Sequence, residues 1–162
     1  MNYHNIKHCD ENNGAYGIGV TLFVSGCSHN CKGCHNPQTH DPCSGIPFDD
    51  KAKKEIFSAL SNDWCSGLTL SGGDPLFPDN RPTILSLVKE VKEKFPDKKI
   101  WIYTGYLYES IKDWIGVKEI LQYCDVIVDG PFIEEQKEYG LKWRGSKNQR
   151  VIDLNESRKP TA

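Results

Sequence analysis

The chain has 162 residues, 38% of them hydrophobic and 26% charged, with a formal net charge of -2. That length supports one domain with a real core but falls short of the roughly 250 residues of a complete eight-stranded α/β barrel, so a barrel here is expected to be partial. The near-neutral charge gives no electrostatic reason to expect nucleic acid, and the start at Met1-Asn2-Tyr3-His4 has no continuous apolar stretch, so neither a signal peptide nor a membrane span is expected and the protein is placed in the cytoplasm.

Ile18, Val20, Leu22 and Val24 alternate with Gly19, Thr21, Phe23 and Ser25, the period of a strand whose C-terminal end runs into Gly26 and Cys27. Residues 49–61 read as a helix through Ile56, Phe57 and Leu60, and Leu68-Thr69-Leu70 as a short strand before Ser71-Gly72-Gly73-Asp74-Pro75. Asn80 as a cap, Pro82 in the first turn, the spacing of Ile84, Leu87, Val88, Val91 and Phe95, and the stop at Pro96 predict the clearest helix. Residues 99–104 form a β-rich run ending at Gly105, followed by a helical pattern through Leu107, Ile111 and Trp114 and a further short helix over 117–123. Residues 125–129 are a compact apolar strand closed by Gly130-Pro131, and 149–154 predict the last strand. No internal repeat or linker interrupts the chain, which reads as a single domain over 1–162 with a flexible tail at about 156–162, frayed after Arg158.

Alternating strands and helices imply an α/β fold with a mostly parallel sheet and right-handed crossovers, and such sheets place ligand sites at the C-terminal ends of their strands. Cys27 to Cys34, Ser71 to Asp74, and Asp129-Gly130-Pro131 each follow a predicted strand, so one fold assumption brings all three segments to one edge.

Seven cysteines without a secretion signal argue against a disulfide scaffold, because the count is odd. The spacing Cys27-x-x-x-Cys31-x-x-Cys34 gathers three thiolates in one short loop, which suits an iron-sulfur cluster with one iron left open for chemistry. A zinc site of Cys₃His type, with His29, His35 or His40 as fourth ligand, fits the same spacing. Cys9, Cys43, Cys65 and Cys124 stand singly and are assigned to core or surface positions. Gly26 and Gly33 flank the ligands and allow backbone N–H groups near the sulfurs. Gly72-Gly73 reads plainly as a strand-to-helix turn; beside an open iron, its carbonyls suit a ligand ammonium group.

These residues resemble the radical S-adenosylmethionine enzymes, whose signature is a Cys-x-x-x-Cys-x-x-Cys loop after the first strand of a partial β/α barrel and a Gly-Gly-acid turn after the second. The resemblance implies a 4Fe-4S cluster held by Cys27, Cys31 and Cys34. It places Gly33, Cys34 and His35 beside the adenine and cofactor, and Gly72, Gly73 and Asp74 at the methionyl end of S-adenosyl-L-methionine. Position 33 is glycine where many of these enzymes carry an aromatic residue. Asp129 is a candidate for the ribose, although aspartate before Gly-Pro also suits ordinary turn chemistry.

Gly33-Cys34-His35-Asn36-Pro37, Ser71 to Leu76, Trp101 to Tyr106, Val128 to Phe132, and Trp143 to Asp153 resemble one subfamily over nearly the whole chain, the activating proteins of anaerobic ribonucleoside-triphosphate reductase. That resemblance implies reductive cleavage of S-adenosylmethionine to a 5′-deoxyadenosyl radical, hydrogen abstraction from a glycine Cα of the reductase, a small electron donor such as flavodoxin, and a homodimer or a complex with the reductase. A partial barrel leaves one side open, which suits a macromolecular substrate that closes it. Lys142, Arg144, Lys147 and Arg150 are candidates for docking or for the cofactor carboxylate, with a solvated cationic face as the plain reading. A radical enzyme acting on a small molecule and a non-enzymatic zinc module are the alternative functions.

Overall fold

In a computed structural model of the chain, which describes residues 1–11, 14 and 17–158, the alternating run at 18–25 becomes strand β2 (Gly19–Val24). A strand absent from the sequence reading, β1 (Asn2–Asp10), lies antiparallel to it. Only Tyr3, Ile6 and Asp10 of β1 are buried, and two register shifts break its pairing, so it has no period-two pattern to be read from sequence. The remaining strands are β3 (Ile46–Pro47), β4 (Gly67–Gly72), β5 (Lys99–Tyr103), β6 (Val126–Asp129) and β7 (Arg150–Asp153), in the spatial order β3-β1-β2-β4-β5-β6-β7.

The sheet is open, with β3 and β7 at its edges. Its centre, β2-β4-β5-β6, is parallel as expected, whereas β3, β1 and β7 pair antiparallel, so half of the six strand pairings depart from a mostly parallel sheet. The reason is the connections. Each parallel step has a helical crossover, while no helix longer than a single turn separates β1 from β2 or β6 from β7. Val20, Leu22 and Val24, Leu68 and Leu70, and Ile100 and Ile102 are essentially inaccessible, as central parallel strands covered by helices should be.

Helix α1 (Asp50–Leu60) starts where Asp49 accepts from Ala52 N at 2.9 Å, and buries Ala52, Ile56, Ala59 and Leu60. Helix α2 (Arg81–Lys94) buries Ile84, Leu87, Val88 and Val91, but its expected cap does other work. Asn80 makes no capping bond; its Nδ2 donates to Ser25 O at 2.8 Å and Asp74 O at 3.1 Å, tying the ends of β2 and β4 together. The pattern through Leu107 and Trp114 gives only one turn, α3 (Tyr108–Ile111), because Ile111 alone is buried while Leu107 and Trp114 stay 50% and 41% exposed. Helix α4 (Val117–Tyr123) follows, and a final turn, α5 (Leu154–Ser157), is capped by Asp153. Arg158 donates to the carbonyls of Leu121 and Cys124; residues 159–162, the end of the expected flexible tail, lie outside the described residues. No described helix is long and apolar enough to cross a membrane.

The end of the sheet away from the cysteine loop is held by Asp125. Its Oδ2 accepts from Lys92 Nζ and Ile100 N, both at 2.8 Å, and its Oδ1 from Asn155 Nδ2 at 3.0 Å. Burial opposes its ionisation, but these hydrogen bonds and the Lys92 charge prevail and hold the carboxyl below its ordinary range. A depressed carboxyl contributes stability above its unfolded pKa that is lost as pH falls through its folded pKa. Asp125→Asn is therefore expected to lower the unfolding free energy at neutral pH by about 1–3 kcal/mol and to flatten its acid limb. Urea denaturation across a pH series measures both, and an undiminished acid limb would contradict this role.

Candidate functional site

The cysteine loop leaves β2 and returns to it. Gly26 N donates to Thr39 O at 2.7 Å and Cys27 N to His40 O at 3.1 Å, so the segment between them is an excursion pinned at its base. Within it, Cys34 N closes a turn onto Cys31 O at 3.1 Å, and Asn36 N points at Cys34 Sγ at 3.4 Å, the kind of N–H to sulfur contact that lowers electron density on a ligating thiolate.

The glycine turn is packed directly beneath this loop. At Gly72, φ is +106° and a side chain would come 2.4 Å from Val24 N; at Gly73 it would come 2.6 Å from Gly26 O. Gly73 N donates to Val24 O and Asp74 N to Gly26 O, at 2.8 and 2.7 Å. Two residues without Cβ thus let the end of β4 lie against the root of the cysteine loop.

Between these segments lies a cavity of about 470 Å³. Cys27, Cys31, Cys34 and His35 form one wall, Ser71, Gly72 and Gly73 another, and Gly130 and Phe132 a third. The three segments expected at one edge therefore meet around one space. Gly33, Asp74 and Asp129 are not among its lining residues. Gly33 is exposed with φ at +74° and turns toward Glu134. Asp74 is 1% exposed: its Oδ2 accepts from His29 Nε2 at 2.6 Å, Thr104 Oγ1 at 2.9 Å and Gly105 N at 3.0 Å, and its Oδ1 from Leu76 N at 2.8 Å. Asp129, fully buried, takes Tyr108 N at 2.8 Å and Arg150 Nε at 3.1 Å. Arg150 spans Asp129 and Glu109, Lys147 pairs with Glu138, and Lys142 lies over the Trp143 ring, which leaves Arg144 as the one residue of the expected basic set that lines the cavity.

Phe132, Trp143 and Gln149 also line the cavity. They lie in motifs the sequence reading singled out, but nothing local distinguishes a wall residue from a core one; the signal available was their place in the segment that follows β6 and leads into β7. Phe132 packs its ring 5.0 Å from that of His35.

All seven cysteines are free. Burial, reinforced by Asp74, Cys31 and Cys34 and partly offset by the backbone N–H of His29, pushes the Cys27 thiol up to about 11, so a bound metal must displace its proton. Among the described residues no three His, Cys, Asp or Glu side chains converge to hold a single metal ion. His29 is committed to Asp74 and to an edge contact with Tyr106 at 4.5 Å. A cubane differs from zinc in taking each cysteine on a separate iron, so its thiols surround a space instead of meeting at a point.

A family model described as a 4Fe-4S single cluster domain matches residues 13–152. The anaerobic ribonucleoside-triphosphate reductase-activating protein of Enterobacteria phage T4 is 48% identical over 151 residues, 93% of each chain. That of Vibrio cholerae is 46% identical over 92% of this chain and 96% of its own, and that of Escherichia coli K12 is 41% identical over 95% and 99%. The chain belongs to the anaerobic ribonucleoside-triphosphate reductase-activating protein family. In this member of the activating-protein family the cysteine loop, the glycine turn and the wall before β7 all fall within the matched 4Fe-4S domain.

Asp74→Ala should destabilise the metal-free activating protein by more than about 2 kcal/mol, since several buried donors lose their acceptor. Thermal unfolding without cluster or ligand reads this; an unchanged midpoint would assign Asp74 to ligand contact alone. The single cysteines differ in a second test. Cys9 and Cys43 are exposed and should alkylate promptly, whereas Cys65 and Cys124 are buried, with burial raising both thiols, Cys124 to about 12. Mass mapping after timed alkylation should find those two modified only on unfolding, and early labelling of Cys124 would contradict its packing.

Proposed function

We propose that this chain activates an anaerobic ribonucleoside-triphosphate reductase as a radical S-adenosylmethionine enzyme of the partial-barrel type. The observation that carries the reading is the shared cavity: three thiols on one wall and a Cβ-free glycine turn on the next, in a chain 41–48% identical to activating proteins of that reductase.

Cys27, Cys31 and Cys34 would hold a 4Fe-4S cluster, leaving one iron without a protein ligand. Such a cluster, when bound and reduced, would supply the one electron for cleavage of the carbon-sulfur bond of S-adenosylmethionine to methionine and a 5′-deoxyadenosyl radical able to take hydrogen from a glycine Cα of the reductase. The chain's own residues bind, orient and exclude water. The Gly72-Gly73 turn offers close main-chain approach to the amino end of the ligand, His35 and Phe132 offer an aromatic wall to its adenine, and the Asn36 N–H supports the Cys34 sulfur. Gly33 contributes space at the loop, through which Glu134 approaches, while Asp74 and Asp129 act by fixing the strand ends that present the ligand contacts.

The open sheet is consistent with a protein substrate. With no strand beyond β3 or β7 among the described residues, the cavity lacks the closing strands that a small-molecule radical enzyme would need, and a glycine-bearing segment of the reductase would complete the enclosure. A small electron donor such as flavodoxin would reduce the cluster in the cytoplasm, and the activating protein would work as a dimer or bound to the reductase.

Electron paramagnetic resonance of anaerobically reconstituted, reduced protein tests the site. The cluster signal should change shape on addition of S-adenosylmethionine, and alanine at Cys27, Cys31 or Cys34 should abolish that change while alanine at Cys9 or Cys43 leaves it. Mixing with the reductase should then produce a glycyl radical signal. A protein that holds zinc and takes up no iron would sink the proposal.

A further inference from the structure

Among the described residues the cavity wall carries one permanently charged side chain, beside His29, which is paired with Asp74, and His35. Among its lining residues Arg144 is the only lysine or arginine, and none is aspartate or glutamate. Arg144 has no carboxylate partner among the described residues; its one hydrogen bond there runs from Nη1 to Gln149 O at 3.1 Å. A guanidinium has five N–H donors in a planar fork, so most of its capacity is uncommitted.

Its position is not accidental to the loop. Gln149 Oε1 accepts from Gly145 N at 2.8 Å and Ser146 N at 3.1 Å, while Gln149 Nε2 donates to Gly130 O at 3.0 Å. Ser146 is fully buried and its hydroxyl accepts from Ile133 N at 3.2 Å. One glutamine side chain therefore fastens the segment before β7 to the end of β6, and its main-chain carbonyl holds one arm of Arg144. Gly145 packs against Phe132, where a Cβ would come within 2.9 Å of the ring. The guanidinium is thus set on a braced wall instead of a free loop.

We propose that Arg144 binds the carboxylate of the methionyl end of S-adenosylmethionine and that Gln149 is its positioning residue, a deepening that rests on the reading of this cavity as the S-adenosylmethionine site. The charges of ligand and wall match. The ligand carries one anionic group, the carboxylate, beside a sulfonium and an ammonium, and Arg144 is the one lysine or arginine on the cavity wall, while His29, the lining histidine with a carboxylate partner, is already committed to Asp74. A forked guanidinium pairs bidentately with a carboxylate and repels the sulfonium. With the cysteine wall supplying negative charge once its thiols are ligating, the two walls orient the ligand by opposite signs. A carboxylate has enough lone pairs to accept from the guanidinium while also serving another partner.

The test uses cluster-reconstituted protein, kept oxidised so that no turnover occurs, and measures equilibrium binding of S-adenosylmethionine and of its decarboxylated analogue by dialysis. Arg144→Gln should weaken S-adenosylmethionine by about ten- to a hundredfold and leave the analogue's affinity unchanged, with Arg144→Lys intermediate. Gln149→Leu should shift S-adenosylmethionine in the same direction by less and again spare the analogue. Equal weakening of both ligands would assign Arg144 to the cavity wall and overturn the proposal. Unchanged binding together with weaker association with the reductase would overturn it in favour of a docking role. Failure of the unsubstituted protein to bind S-adenosylmethionine at all would instead overturn the reading of the cavity on which it rests.

Discussion

The placement of the cysteine loop against the ends of β4 and β5 depends on one buried carboxylate. Asp74 follows β4, yet its oxygens accept from His29 in the cysteine loop, from Thr104 and Gly105 beyond β5, and from Leu76 ahead of α2. Three separately folded strand ends are brought together by one acceptor that is almost wholly out of water. Such a group is costly to bury unless its lone pairs are filled, and filling them fixes the positions of all its donors at once. The cysteine loop has little apolar surface of its own, and its anchorage comes from this network together with the bonds from Gly26 and Cys27 to residues 39 and 40.

Close packing of main chain does the rest. Gly72 and Gly73 let backbone segments approach within hydrogen-bonding distance, Gly26 leaves room for the Phe77 ring, and Asn80 threads its amide between Ser25 O and Asp74 O. The opposite end of the sheet uses a similar device, Asp125, with Lys92, Ile100 N and Asn155 as donors. The parallel core between is apolar and nearly featureless chemically, so polar specificity resides at the two ends: one end staples the fold, and the other also shapes a cavity.

The division between legible and illegible features follows from how far apart the interacting residues lie. The helices at 50–60 and 81–94 and the central strands announce themselves through apolar periodicity, which is a local property. The helical pattern after Gly105 overreached because Leu107 and Trp114 share the spacing of buried residues without being buried. Strand β1 was invisible because register shifts destroy its alternation, and Asn80 looked like a cap because its residue type suits one, although its partners lie 55 and 6 residues away. Asp74 and Asp129 stood in motifs that pointed to the cavity, but their carboxylates face its supports.

By itself the sequence determined the chemistry available: three thiols at short spacing, a glycine pair at a strand end, an α/β alternation that sends both to one edge, and motifs shared with the activating-protein family. Those are properties of residue type and local spacing, set before the chain folds. Only the tertiary structure decided which polar groups are spent on architecture and which remain free. Asp74, Asp129, Arg150 and His29 find partners across the sheet, while Arg144, held by the carbonyl of Gln149, lines the cavity with no acidic partner among the described residues. The physical reason is that a charged side chain's role is fixed by what satisfies it, and those partners come from strands that meet only when the sheet is assembled.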